Sequence, residues 1–347
     1  MEEMSVAITD GRRGSGAATL TDVAELAGVS LATASKALNG KHQVRAETRA
    51  KVLEAAAQLS FTPNPFAQAL NATRTGTIGM LTSDLDNRFV LPVLLGAEDA
   101  FGAGATSVLL CDARGDAIRE QHHLKTLLAK RVDGIVVLGR TTNMRSSITT
   151  NIPVPVVYAY APSDSETDTS FTPDNYGAGK QAVEHLLARG RSAIALVNGE
   201  PNYAAASDRA AGARDAMAEV GLSLEGGDSL YGQWSESWGR KCTEMLLASG
   251  RKFDAILAGS DQIARGVLDH LREAGLSVPK DVAVMGFDNW DILSATSRPP
   301  LTSVDMNLQE LGRAAAVALS AAISGQATPG VHRLAVRIVP RESTASI

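Results

Sequence analysis

Few residues in this chain have the type and spacing to make or break bonds. Cys111 and Cys242, its two cysteines, each sit inside an apolar pattern, which suits buried free thiols better than a disulfide frame or a Cys-rich metal site. His122 and His123 are adjacent; neighbours on a helix face different ways, so no metal is expected there. The sequence carries no G-x-S-x-G, no P-loop and no G-x-G-x-x-G after a strand-like run. Acyl transfer, phosphoryl transfer and dinucleotide chemistry therefore lack a constellation, and neither enzyme activity nor a cofactor is expected. What remains is recognition. Residues 19–40, TLTDVAELAGVSLATASKALNG, set two short Ala-rich helical patterns on either side of Gly-Val-Ser, the outline of a helix-turn-helix whose second helix enters the major groove. By geometry alone an ordinary αα-hairpin fits as well. Charge adds to the first reading: the chain carries a net charge of −5, yet residues 19–75 hold six Lys and Arg against four Asp and Glu. Phosphate attraction follows the local potential rather than the total.

These residues need elements to position them. At 347 residues, with 44% hydrophobic and 20% charged side chains, the chain predicts two or three folded domains of ordinary composition. No run approaches 18 apolar residues, and the N-terminus has no apolar core of a signal peptide, so no membrane contact and a cytoplasmic location are expected. Residues 1–18, rich in Gly, Ser and Ala, predict a disordered tail. Next come three short helices. Thr21 and the acid after it suit the start of DVAELA, Gly28 allows the positive φ that ends it, and Ser30 caps LATASKALN. In AETRAKVLEAAAQLSF, Val52, Leu53, Ala56 and Leu59 are predicted to face inward. From Thr77 the pattern alternates. TIGMLT, TSVLLC, VDGIVVL, VPVVYAY, AIALVN, FDAILA and VAVMGF read as strands, with amphipathic helices at 117–130, 176–188, 207–220 and 262–274. Such alternation predicts parallel sheets covered by helices on both faces, with ligand-binding loops at the C-terminal strand ends.

The stretch LTDVAELAGVSLATASKALNG, followed by VRAETRAKVLEAAAQLSFTPNPFAQAL, closely resembles the headpiece of the LacI/GalR (lactose-repressor) family of bacterial transcription regulators. The likeness continues in order through DNRF, LLAKRVDGIVVL, DNYGAG, DRAAGARDAM, AILAGSDQIARG, VAVMGFDNW and PPLTSVDMN. It implies an N-terminal all-α helix-turn-helix headpiece on a periplasmic-binding-protein-like α/β core of two doubly wound parallel-sheet lobes joined by three crossovers. The implied boundaries are a tail at 1–18, a headpiece at 19–62, a hinge helix and linker at 63–75, and a core at 76–347. Within the core, lobe one spans about 76–174 and 305–334, and lobe two about 175–304 and 335–347.

The resemblance also assigns residues. Leu31, Ala32 and Lys36 match the outward positions that read bases; Lys36 can donate to guanine O6 and N7, whereas Leu31 and Ala32 offer apolar contact. Thr19, Ser30, Thr33, Ser35 and Asn39 match phosphate or cap positions. Arg45 stands where the family often has a capping Ser, which weakens that cap or adds a phosphate contact. PNPFAQALN, residues 63–71, resembles the hinge helix that orders on DNA: Asn64 and Ala67 would touch DNA, and Leu70 would wedge into a minor-groove step, with linker or core as its alternative role. Matching effector positions are Asp84, Asn87, Phe89, Tyr158, Tyr160, Arg209, Trp234, Ser260 and Asp288. Arg209 and Asp288 have a competing role as a structural ion pair, and Phe89 as core. Asp261 is expected to cap the helix after it and brace the hinge. The implied partners are a near-palindromic operator, a second copy of the chain, and a mono- or oligosaccharide effector, with a nucleoside or purine as the alternative. The end of the sequence shows no heptad repeat, so a dimer is expected without a tetramer-forming tail. A sugar-transport receptor would share the core but needs an export signal and no headpiece.

Overall fold

The computed structural model describes residues 18–38, 43–61, 74–102 and 106–345. Asn39, Asn64, Ala67 and Leu70 lie outside them, as does most of the expected tail. The chain divides after Thr75 into two compact units.

The first unit holds helices α1 (Leu20–Leu26), α2 (Leu31–Leu38) and α3 (Ala46–Gln58). Helix α1 begins two residues earlier than Thr21 suggested. Thr19 is its cap, in a reciprocal box where Asp22 N–H donates to Thr19 Oγ1 (3.3 Å) and Thr19 N–H to the Asp22 carboxylate (2.8 Å); an acid three residues after the cap satisfies a second orphan donor. Gly28, at φ +66°, lets the chain turn so that Val29 N–H reaches Ala24 O at 3.0 Å. Ser30 caps α2 by accepting from Thr33 N–H at 3.2 Å. Behind these helices lies a core of Val23, Ala24, Ala34, Ala37, Val52, Ala55 and Ala56, flanked by Val29, Leu59 and Phe61. Leu53 does not join it, being 50% exposed. The buried stripe of α3 runs through Val52, Ala55, Ala56 and Leu59, and Leu53 lies about 100° round the helix from it.

The second unit contains two six-stranded sheets. In chain order its elements are β1 (Thr77–Thr82), α4 (Val90–Phe101), β2 (Ser107–Asp112), α5 (Ala117–Ala129), β3 (Gly134–Leu138), β4 (Val156–Ala159), β5 (Thr169–Pro173), α6 (Asn175–Ala188), β6 (Ile194–Asn198), α7 (Ala204–Glu219), β7 (Leu230–Tyr231), α8 (Glu236–Ala248), β8 (Ala255–Ala258), α9 (Asp261–Glu273), β9 (Ala283–Phe287), α10 (Asp291–Ser294), β10 (Thr302–Asp305), α11 (Leu308–Ile323), β11 (Gly330–Leu334) and β12 (Arg337–Val339). The strand orders are β11-β5-β4-β3-β1-β2 and β12-β10-β9-β8-β6-β7. Every named pairing is parallel except β10 with β12. The chain passes from the first sheet to the second between β5 and α6, returns between β10 and α11, and crosses again between β11 and β12. We call the two halves lobe one and lobe two.

Strands such as GIVVL and IALVN are buried end to end, as expected of sheets covered on both faces. Each lobe accordingly has two apolar layers. Val136, Val157, Leu311 and Leu319 belong to one layer of lobe one and Leu81, Leu127, Ile135 and Val137 to the other. Lobe two divides likewise around Leu196 and Met285 on one side and Ile256 and Val284 on the other. Helices α6 and α7 meet backbone to backbone. A Cβ on Gly179 would lie 2.1 Å from Arg209 O, and one on Gly212 would lie 2.0 Å from Tyr176 O, so no side chain fits at either crossing.

Candidate functional site

A cavity of about 390 Å³ opens where the C-terminal ends of both sheets face each other, the position at which doubly wound sheets bind ligands. Lobe two supplies its most rigid part. Arg209, on α7 and 4% exposed, has its guanidinium fixed on three sides: Nε donates to Asn175 Oδ1 (2.9 Å), Nη1 to Gly259 O (2.6 Å), and Nη2 lies 3.6 Å from Asp288 Oδ1. The Phe287 ring packs beneath it, 4.6 Å from centroid to Cζ. Asp288 has φ +95° and is held by its N–H bond to Val304 O at 2.8 Å. In lobe one Tyr160 mirrors it at φ +74°, its N–H donating to Phe171 O at 2.8 Å. Bulky or charged residues adopt this backbone region only when their surroundings fix it. Burial pushes the Tyr160 hydroxyl above its usual range, and the charge of Asp288 adds to the effect.

Aromatic faces complete the walls. Phe89 stacks with Tyr160 at 5.3 Å between centroids, and Trp234 meets Tyr203 edge to face at 5.7 Å. Trp234 lies flat on Gly199, where a Cβ would approach the indole to 2.0 Å. Its Nε1 is buried without a hydrogen-bond partner among the described residues. Asn87 shapes the first loop, donating from Nδ2 to Arg140 O (3.0 Å) and accepting from Phe89 N–H (3.1 Å), while Asp84 pairs with Arg140 at 3.3 Å. Asn143 joins the lobes: its Nδ2 donates to Asn202 O and its Oδ1 accepts from Ala204 N–H, both at 2.8 Å. Helix α7, whose own N-cap Tyr203 supplies no side-chain bond, thus takes its cap from the opposite lobe.

Of the nine cleft residues expected from sequence, Asp84, Asn87, Phe89, Tyr160, Arg209, Trp234 and Asp288 line this cavity, whereas Tyr158 and Ser260 do not. Tyr158 lies on the other face of β4, fully buried in the layer with Leu81 and Leu124. Its hydroxyl accepts from Ile148 N–H at 2.7 Å. Two residues apart would share a strand face, but the turn in the backbone at Tyr160 breaks that alternation. Ser260 is the N-cap of α9, accepting from Ile263 N–H at 3.3 Å. Asp261 therefore does not cap. Its carboxylate accepts from Ser303 Oγ (2.6 Å) and Trp290 N–H (2.7 Å), tying α9 to β10 and the loop after β9. Burial first, and the nearby charge of Asp288 second, push it up to about 8. The ion-pair role of Arg209 and Asp288 holds together with their place on the cavity wall. Cavity residues missed from sequence are Asp86, Arg88, Arg140, Thr141, Thr142, Tyr203, Ala205, Gln262 and Trp290. Most follow a strand's C-terminal end by a few residues, a signal that was available.

On the headpiece, Leu31 is 51% exposed, and Ala32 and Lys36 are exposed beside it on α2. Ser30 and Thr33 share a 2.8 Å hydroxyl contact, and Ser35 is half-buried with bonds of its own. Thr19 spends its hydroxyl on Asp22. Arg45 precedes α3 without a side-chain cap bond, as its departure from Ser suggested. Among the described residues no group of three or more His, Cys, Asp and Glu gathers to hold a metal, and no helix is long and apolar enough to cross a membrane.

The model of bacterial regulatory proteins of the lacI family matches residues 19–64, and that of the periplasmic binding protein-like domain matches residues 183–344. Catabolite control protein A of Priestia megaterium is 33% identical over 332 residues, spanning 94% of this chain and 99% of that protein. The chain belongs to the LacI family. The ribose operon repressor of Escherichia coli K12 is 34% identical over 301 residues, 86% of this chain and 91% of its own. The lac repressor dimer bound to operator and the anti-inducer ONPF superposes with a TM-score of 0.79 at 30% identity, covering 95% of this chain and 99% of that one. As a LacI-family member the protein is a DNA-binding transcriptional regulator of the repressor type, controlled by a small molecule; its relatives are repressors, not enzymes.

Proposed function

We propose that a mono- or oligosaccharide binds in the cleft between the lobes and sets how tightly the protein holds a near-palindromic operator. One observation carries this reading: a fixed guanidinium and carboxylate, Arg209 and Asp288, share a cavity with the aromatic faces of Phe89, Tyr160 and Trp234. Such a wall matches the hydroxyls and the apolar face of a sugar ring. The family's headpiece match at residues 19–64 speaks against a transport receptor. A homodimer is supported by the likeness to the lac repressor dimer, since two headpieces reading two half-sites require two-fold symmetry. In this reading the headpiece spans 19–62, the hinge 63–75 and the core 76–347, and the protein works in the cytoplasm.

Lys36 is then the polar base reader of α2, Leu31 and Ala32 give apolar contacts, and Ser30, Thr33 and Arg45 set register on phosphates. Asn39, Asn64, Ala67 and Leu70 would complete the DNA surface, with Leu70 as the minor-groove wedge. The test is a gel shift on a palindromic operator from the protein's own promoter, combined with a thermal-shift screen of sugars and nucleosides. Specific binding that a sugar changes is expected. Absence of specific binding at low salt would sink the operator reading, and a nucleoside as sole effector would sink the sugar.

A further inference from the structure

Arg88 is placed unlike the other residues of the cleft. It lies on the loop after β1 in lobe one, yet its Nη2 reaches across to Asp288 Oδ2 of lobe two at 2.5 Å. Its guanidinium carbon sits 4.4 Å from the centre of the Phe89 ring and 4.9 Å from that of Trp290, so it occupies the space between an aromatic of each lobe. Its Nε is buried with no hydrogen-bond partner among the described residues. Asp288, 4% exposed in its side chain, thus faces two guanidiniums, since Arg209 stands on its other oxygen at 3.6 Å.

The remaining charges of the cavity do not offset the second cation. Arg140 is taken by Asp84 at 3.3 Å, and Asp86 is solvent-exposed. Asp261, behind Trp290, is no part of the cavity wall and spends its oxygens on Ser303 Oγ and Trp290 N–H, and burial pushes its carboxyl up to about 8. The inner cleft therefore holds one positive charge in excess. A ligand that meets Asp288 through hydroxyls alone would take the carboxylate from Arg88 and leave a half-desolvated guanidinium unpaired, which is costly. A ligand carrying a carboxylate returns a partner, and its two oxygens match the guanidinium fork. A phosphate brings about −1.5 to −2 charges, more than the excess.

We propose that Arg88 is a specificity-determining residue and that the effector is a sugar bearing one carboxylate, which pairs with Arg88 as the ligand's hydroxyls replace it on Asp288. This rests on the reading of the cleft as the effector site. Calorimetric titration of the full chain at pH 7 with glucuronate, galacturonate and gluconate, against glucose, galactose and glucose 6-phosphate, tests it. At least one acid should bind ten-fold or more tightly than its neutral counterpart, and R88Q should erase that preference by weakening the acid relative to the neutral sugar. R88K, which keeps the charge but loses the fork, should fall between. Equal binding of acid and neutral sugar, tighter binding of the phosphate, an acid preference that survives R88Q, or silence of all three acids would each overturn the proposal. A neutral sugar that binds while the acids stay silent removes only the carboxylate and leaves the cleft as the effector site. If both neutral and acidic sugars stay silent while a nucleoside binds, the sugar reading itself falls.

Discussion

On helix α2 the outward residues Leu31, Ala32 and Lys36 stand clear of a small core in which five of seven buried side chains are alanine. In the cleft, Arg209 and Asp288 face the cavity and are also wound into bonds with Asn175, Gly259, Arg88 and Val304. The outward face of α2 keeps its presented side chains apart from what holds the headpiece together; the cleft uses the same atoms for both. The reason is physical. A solvent-facing side chain can be exchanged at little cost, whereas a buried charge must be paired wherever it stands. Substitutions at these outward positions of α2 should thus change affinity alone, and substitutions in the inner cleft should change affinity and stability together.

Four substitutions test how sharp that contrast is. Arg209→Ala leaves Asn175 Oδ1 and Gly259 O without their donor and Asp288 with Arg88 alone, and should cost the core about 3–5 kcal/mol in urea denaturation while abolishing the effector response; loss of the response at unchanged stability would break the contrast. Thr19→Ala removes one half of the capping box and should cost the headpiece about 1 kcal/mol, read from its own melting transition. Asp261→Asn addresses pH. The native state holds the Asp261 proton between about 4 and 8, where the unfolded chain has lost it, so this group makes stability fall as pH rises through that window. In the Asn variant, which can still accept from Trp290 N–H and donate to Ser303, the decline in melting temperature over this range should flatten. Lys36→Ala should leave melting unchanged, within about 0.5 kcal/mol, and weaken operator binding; a stability loss there would show that α2 is not free of the core.

The alternation of strands and helices was legible because runs such as GIVVL and AILA are apolar from end to end and separated by amphipathic stretches. TSFTP, the strand β5, was not: it is polar in sequence but fully buried, because its hydroxyls find local partners, Ser170 Oγ accepting from Ser163 N–H and Thr172 donating to Tyr160 O. Thr21 was mistaken for a cap since an acid follows it, but the cap that counts has its acid at the third helical position. Seven of the cleft's sixteen lining residues were reached through the resemblance, whereas Tyr158 and Ser260 were lost to geometry that one-dimensional spacing does not carry, namely a left-handed residue and a helix cap. Arg88 was overlooked inside a quoted motif, DNRF. Its importance depends on a carboxylate 200 positions away in the chain, and no local pattern reports that.

Beside the Arg88–Asp288 pair, the borrowed cap on α7 puts a single amide across the cleft, where it would bear on any balance between open and closed lobes. Were the lobes to part, Ala204 N–H would lose Asn143 and Asn202 O its donor, and water would have to take over at the helix end that leads to Arg209. A net difference of about 1 kcal/mol shifts such a ratio roughly five-fold. Natural variation at position 143 would then retune the concentration at which the regulator responds, without touching either the ligand's contacts or the operator's.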